Sequence, residues 1–145
     1  MFRVHPSSTG FLIHLCSTLC MTGAIWFIQL VHYPLFDHVP AQAFAAYEAA
    51  HTRLTLLLVV PLMLMELATA VWLVWRRPPG IAVESAWIGL VLLAVIWLST
   101  ALLQGFSEAA YRSLVASNWI RTIGWTARSW VVLRMTSELL TATPP

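Results

Sequence analysis

The sequence contains no lysine and very few charged residues of any kind. Charged residues make up 10% of the 145 residues, all eight basic residues are arginines, and the net charge is only +2. A charge this small and this scattered excludes a nucleic-acid-binding surface. The chain also lacks a glycine-rich phosphate loop, a nucleophile-elbow serine and a His-Glu-x-x-His motif, so the strongest sequence signals for those enzyme classes are missing.

Cysteine is scarce as well, with Cys16 and Cys20 as the only two. They lie one turn apart on the same predicted helix, where neighbouring residues are badly placed for a disulfide. Two thiols alone do not complete a zinc site. We therefore interpret both cysteines as small apolar side chains.

Hydrophobic residues are abundant, at 59% of the sequence. Crossing a bilayer as a helix takes about 20 predominantly apolar residues, and several runs reach that length. The runs are separated by Pro34 and by the proline-rich 76–80 segment. The pattern predicts an all-α fold, an antiparallel four-transmembrane-helix bundle forming one membrane domain in contact with the lipid bilayer. The four spans are expected at about residues 10–33, 44–75, 84–105 and 118–140.

The fourth span is the least apolar and carries two arginines on one face, Arg121 and Arg128. Arginines inside a membrane segment insert at a high cost when they face lipid. We therefore expect this face to point into the bundle. Near its start, Ser117 or Asn118 is expected as the helix N-cap, after a separate short amphipathic piece over residues 109–116.

The arginine distribution predicts the orientation. With four spans, both termini and the 76–80 loop share one side, which carries Arg3, Arg76 and Arg77. The positive-inside rule then places both termini in the cytoplasm, in a bacterial inner membrane.

One polar stripe stands out on the second span. Glu48 and His51 are neighbours on one helix face, and Glu66 returns to that face after about five turns. A carboxylate in the middle of an apolar helix needs a partner. Arg128 lies about 15 Å deep and Glu66 about 18 Å, measured along their helices from the same membrane side. The sequence therefore predicts a buried ion pair between them.

Polar residues also accumulate at the ends of the spans that share the non-cytoplasmic side. This predicts a buried pocket of imidazole, carboxylate and guanidinium groups at that end. The pocket residues are Gln29, His32, Glu48, His51, Arg53, Gln104, Glu108, Asn118 and Arg121.

Three chemistries fit this pocket, and no catalytic residue is assigned. His32, His51, Glu48 and Glu108 offer two nitrogen and two oxygen ligands suited to zinc, iron or copper, which would also allow a redox role. The single Glu-x-x-His copy falls short of the repeated motif of di-metal helical bundles.

The second and third chemistries use the same residues differently. His32 and His51 come from different helices, and they could instead hold a b-type haem, with Arg53 and Arg121 on its propionates. In the third, Arg121 and its neighbours bind an anionic or quinone-like small molecule without a cofactor. A non-catalytic accessory subunit of a larger membrane complex, or a homo-oligomer, is the alternative class of function.

Three segments carry a resemblance to known sequences: residues 26–36 (Trp-Phe-Ile-Gln-Leu-Val-His-Tyr-Pro-Leu-Phe), Tyr47 with His51-Thr52-Arg53, and residues 118–122 (Asn-Trp-Ile-Arg-Thr). In these the chain resembles a group of small, uncharacterised four-helix bacterial membrane proteins. The resemblance spans most of the chain. It implies the four-helix fold and a bacterial inner membrane, and it implies no activity or ligand.

Overall fold

The computed structural model describes residues 6–102 and 108–142, with side chains described for residues 8–101 and 115–142. Within these ranges all regular structure is helical. The elements are α1 (Pro6–Phe27), a π-helical turn (Ile28–His32), α2 (Tyr33–Phe36), α3 (Ala41–Arg76), α4 (Val83–Leu102) and α5 (Glu108–Thr141).

Three of the helical segments are long and apolar enough to cross a membrane, namely Ser8–Phe36, Ala41–Arg76 and Val83–Ala101. They match the first three predicted spans and support a membrane protein. The fourth predicted span does not reach the same hydropathy. Its helix carries arginines and many hydroxyl side chains, so α5 does not qualify as an apolar span by composition.

Pro34 predicted that the first helix ends at about residue 33, but the helix continues beyond it. The chain instead passes through the π-helical turn, in which the backbone N–H of Tyr33 donates to the carbonyl of Ile28, and continues helically to Phe36. Pro34 stands in the first turn of α2, where a missing backbone N–H is tolerated. The prediction was wrong because a π-turn re-registers the hydrogen bonds ahead of the proline.

The predicted break before Asn118 is also wrong, because α5 is one continuous helix from Glu108 to Thr141. Asn118 lies inside it and caps nothing. Its side-chain amide instead donates to Gln29 Oε1 on the first helical segment, at 2.8 Å. The Asn118 side chain, predicted to cap a helix, therefore makes a tertiary hydrogen bond with Gln29 instead.

Hydrogen bonds join α5 to the first helical segment along most of their shared length. Residues later in α1 bond to residues earlier in α5, so the two helices run in opposite directions. These contacts also explain how the hydroxyl-rich face of α5 is satisfied away from water. The bonds are Thr22–Ser129 (2.7 Å), Trp26–Thr126 (3.0 Å) and Gln29–Asn118 (2.8 Å).

Glu138, near the end of α5, closes the bundle at the 77–82 loop. Its carboxylate accepts hydrogen bonds from the backbone N–H of Ala82, from Ser85 Oγ and from Arg134 Nε, each at 2.9 Å. The carboxylate therefore caps the start of α4 from a neighbouring helix.

The buried apolar residues form two clusters, one after the other along the helices, and these define two halves of the molecule. The loop half contains the 77–82 loop and the cluster of Phe11, Leu73, Ile81, Ala86, Val132 and Met135. The cavity half contains the 37–40 connector and the cluster of Met21, Ile25, Met63, Ile96 and Trp125.

Candidate functional site

A buried ion pair lies where the two halves meet. Arg128 Nε donates to Glu66 Oε1 at 2.9 Å, and both side chains are 0% exposed. The carboxylate accepts two more hydrogen bonds, from Thr18 Oγ1 to Oε1 at 2.8 Å and from Trp125 Nε1 to Oε2 at 3.0 Å. The ion pair that the sequence predicted is therefore present, and both oxygens of its carboxylate are occupied.

The guanidinium of Arg128 reaches across to a third helix. Its Nη1 donates to the backbone carbonyl of Gly89 on α4, while Nη2 is buried without a hydrogen-bond partner in the described part of the chain. A pair removed from water in this way is strongly sensitive to loss of one member. Gly89 could not have been predicted as a partner, since the contact is to its backbone.

Two polar residues of α1 near this pair were not predicted as part of a site. His14 is buried in the loop half, and its Nδ1 lies 2.9 Å from Thr69 Oγ1, one turn beyond Glu66. Thr18, one turn further along α1, donates a hydrogen bond to Glu66. Its hydroxyl lies four residues before that of Thr22, and this helical spacing within an apolar run is a signal that could have indicated it.

The cavity half encloses a cavity of about 310 Å³. Its wall is mainly apolar, built from residues such as Met21, Ile25, Val59 and Met63. A volume near 300 Å³ with an apolar wall and a few polar groups is typical of small-molecule sites. The polar and ionisable lining residues are Tyr33, Glu48, His51, Thr52, Thr55, Trp97, Thr100, Asn118 and Arg121.

Two buried N–H groups at this cavity lack an acceptor. Trp97 Nε1 and Arg121 Nε are both buried, and neither has a hydrogen-bond partner among the described side chains and backbone. Arg121 is 8% exposed as a residue, and no carboxylate with a described side chain lies within ion-pair distance of it. An unsatisfied buried donor costs about 1–3 kcal/mol, so two such donors on residues that line one cavity indicate a place for an acceptor that the described part of the chain does not supply.

The two histidines proposed as metal ligands are in contact, but their rings are not oriented to bind one metal ion together. The His32 and His51 rings stack with centroids 4.3 Å apart and planes 27° apart. His51 Nδ1 lies 3.2 Å from Thr55 Oγ1, and His32 Nε2 is buried without a partner in the described residues. The lone pairs of stacked rings run side by side, so shared coordination would require one ring to turn.

A metal-ligand set with a third member is not found in the part of the chain that the structure describes: no three His, Cys, Asp or Glu side chains are grouped suitably. Glu48 is half-buried and lines the cavity. The side chain of Glu108 lies outside the described residues, and its backbone begins α5 instead of closing the third span. The metal site therefore stays a prediction. The haem alternative also stays one, and it would require both rings to turn, because a nitrogen of each must point at the same iron.

The remaining predicted residues fall into place as follows. Gln29 is buried and is the acceptor for Asn118. Arg53 is exposed and borders a surface groove that shares Glu48, Thr52 and Leu56 with the cavity. Gln104 lies outside the described residues.

Comparison with protein-family models, with curated proteins and with solved structures gives no match for this chain.

Proposed function

We propose that the protein is an integral membrane protein that binds a small amphipathic molecule in the cavity half. The molecule is apolar in its body and carries anionic or hydrogen-bond-accepting oxygens, as in a fatty-acid carboxylate or a quinone. The observation that carries this proposal is the pair of unpartnered N–H donors, Trp97 Nε1 and Arg121 Nε, at an otherwise mainly apolar cavity.

The charge of Arg121 favours an oxyanion over a neutral carbonyl. A buried guanidinium binds acceptor oxygens through charge-assisted hydrogen bonds, which are about twice as strong as neutral ones. The indole N–H of Trp97 adds a neutral donor from the facing helix. Met21, Ile25 and Met63 supply the apolar wall against which a chain or ring packs.

The membrane arrangement belongs to the same proposal. We take α5 as a fourth crossing, because its buried polar face is hydrogen-bonded to the first helical segment and so need not meet lipid. With four crossings the arginine bias puts both termini in the cytoplasm of a bacterium. Reporter fusions at Pro79 and at Pro145 should then both report cytoplasm, and opposite answers would contradict this topology.

Ligand binding is tested by native mass spectrometry of the detergent-purified chain with three probes. Oleate carries a charged head, methyl oleate carries the same chain with a neutral ester, and a benzoquinone with a ten-carbon tail carries two carbonyls. We expect a saturable 1:1 adduct with oleate that is lost in Arg121→Met and weakened in Trp97→Phe.

Arg134→Met is the matched control, because Arg134 is an exposed arginine on the same helix, outside the cavity. It should bind oleate as the wild type does. Binding of methyl oleate or the quinone as tight as that of oleate would identify carbonyl oxygens, not charge, as the recognised feature. The proposal fails if no probe forms a saturable adduct, or if the adduct is unchanged in both cavity variants.

A second candidate function is metal or haem binding at His32 and His51. It is favoured by one observation: the buried, unpartnered Nε2 of His32 beside the ring of His51. Elemental analysis and a visible spectrum of the purified chain test it. Zinc, iron or copper at one equivalent, or a Soret band, should disappear in His32→Ala and in His51→Ala, weaken in Glu48→Ala or Glu108→Ala, and persist in His38→Ala. Stoichiometric metal in the His32/His51 double variant would contradict the site.

If neither a small molecule nor a metal binds, the accessory-subunit alternative is what is left. Its signature is a partner protein that co-purifies at fixed stoichiometry, or a homo-oligomer seen in the same native spectra.

A further inference from the structure

Trp125 belongs to the cavity and to the buried ion pair at once. Its ring lines the cavity and packs in the cluster with Met21, Met63 and Ile96. Its indole N–H donates to Glu66 Oε2 at 3.0 Å. The residue is 2% exposed. The wall of the candidate ligand site therefore includes the Trp125 ring, whose Nε1 is hydrogen-bonded to Glu66 and not to the cavity.

The Glu66 carboxylate, which binds the Trp125 indole, has further hydrogen-bond partners of its own. The other oxygen of Glu66 accepts hydrogen bonds from Thr18 Oγ1 at 2.8 Å and from Arg128 Nε at 2.9 Å. These partners come from α1 and α5, and Glu66 comes from α3. An ionised carboxylate with this many donors has little freedom to move, and its bond to an indole is charge-assisted. The position of the Trp125 ring thus depends on a carboxylate of α3 that is also bonded to α1 and to Arg128, one turn further along Trp125's own helix.

We propose that Glu66 is a positioning residue for the cavity: by holding the indole of Trp125, the Glu66–Arg128 pair fixes the inner wall of the ligand site and is coupled to its occupancy. This rests on the proposed function for the ligand itself. A coupling of this kind is reciprocal, so loss of the Glu66 bond weakens the ligand, and the ligand shifts the environment of the indole.

The test uses the full chain labelled with 5-fluorotryptophan, in lipid nanodiscs, observed by fluorine NMR. The chain has eight tryptophans. The resonance of Trp125 is identified by its loss in Trp125→Phe. Without any ligand, Glu66→Gln should shift that resonance and leave that of Trp130, which is 71% exposed on the same helix, in place.

Thr126→Val is the matched control for a lost hydrogen bond at the same depth. Thr126 accepts from Trp26 Nε1, not from Trp125, and it does not line the cavity. This variant should move the resonance of Trp26 and not that of Trp125. Thr18→Val, which removes one donor from Glu66, should shift Trp125 in the same direction as Glu66→Gln, and it serves if Glu66→Gln does not fold.

Oleate is then titrated into the same samples. It should shift Trp125 and Trp97 in the wild type. Glu66→Gln and Trp125→Phe should each weaken oleate by about 5-fold, the worth of roughly one hydrogen bond. The double variant should weaken it no further, because both changes remove the same contact.

The outcomes separate the two proposals. An unmoved Trp125 resonance in ligand-free Glu66→Gln and Thr18→Val, or multiplicative losses of affinity in the double variant, overturns the positioning role while oleate still binds. Absence of a response at Trp97 and Trp125 to oleate, methyl oleate and the quinone overturns the proposed function instead. The ligand-free spectra then still decide whether Glu66 positions the indole.

Discussion

Two arginines on one face of α5 have opposite surroundings in the two halves of the molecule. Arg128, at the meeting point with the loop half, is 0% exposed and pairs with Glu66 at 2.9 Å. Arg121, in the cavity half, is 8% exposed, and no carboxylate with a described side chain lies within ion-pair distance of it. The residues have the same type, helix and face, so their different surroundings are what distinguish a paired arginine from one without a described carboxylate partner.

The packing around the two arginines differs in the same sense. In the loop half, donors and acceptors are largely matched within the chain, as in the contacts of Glu138 with Ala82 and Ser85. In the cavity half, about 310 Å³ is left unfilled beside two donors without acceptors. A half with matched polar groups contributes stability. A half with unmatched groups has given up some stability, and this is characteristic of binding sites.

The largest expected effect on stability comes from removing one member of the buried ion pair. Glu66→Gln and Arg128→Met should each lower the free energy of unfolding by ~3–5 kcal/mol, because each leaves a buried polar partner uncompensated. The double variant should lose far less than the sum. Chemical unfolding of the detergent-purified protein measures all three, and additive single effects would count against a coupled pair.

The same substitution in the cavity half should have the opposite outcome. Arg121→Met removes a buried charge that no described carboxylate neutralises, so stability should stay within about 1 kcal/mol of wild type or rise. Oleate affinity should fall by ~10- to 100-fold, since a hydrogen bond to a charged group contributes about 1.5–3 kcal/mol. Loss of stability as large as that of Arg128→Met would mean that Arg121 has a structural partner.

The ion pair could be predicted from the sequence, whereas for the cavity only the end of the bundle and part of the lining could be predicted. Glu66 and Arg128 were found because depth along a helix follows from counting residues, and because a lone charge in an apolar run demands a partner. The gathering of Gln29, His51, Asn118 and Arg121 at one end followed from the same counting. Which of them bond to each other did not, since that depends on how each helix is rotated about its axis.

The local errors have specific physical causes. The π-turn at residues 28–32 shifts the hydrogen-bond register ahead of Pro34, so the helix continues to Phe36 although the proline had indicated an end. Asn118 reads locally as a helix start, but Gln29 supplies its partner from another helix. In both cases a tertiary contact or a hydrogen-bond rearrangement overrides a residue preference that is worth about 1 kcal/mol.

The close approach of α4 and α5 can be compared between the halves with glycine substitutions. A Cβ at Gly124, in the cavity half, would lie 2.8 Å from Ile96 Cγ1, whereas one at Gly89 would meet nothing closer than 3.7 Å. Both changes gain ~1 kcal/mol of helix propensity. Gly89→Ala should therefore be neutral or stabilising, and Gly124→Ala should lose about 1 kcal/mol net because overpacking costs ~1–3 kcal/mol. Thermal unfolding of the two variants measures this, and equal effects would contradict the tighter contact at Gly124.

The smallest expected effect concerns Glu138 in the loop half. Its side chain accepts hydrogen bonds from the backbone N–H of Ala82 and from Ser85 Oγ at the start of α4. Glu138→Gln keeps one acceptor oxygen and removes the negative charge, so it should be less stable than wild type by under ~1 kcal/mol, typical of a charge at a helix N-terminus. Thermal unfolding of the two proteins measures this difference. A loss as large as that of Glu66→Gln would contradict it, because Glu138 would then be as essential to the loop half as the buried ion pair is to the centre of the bundle.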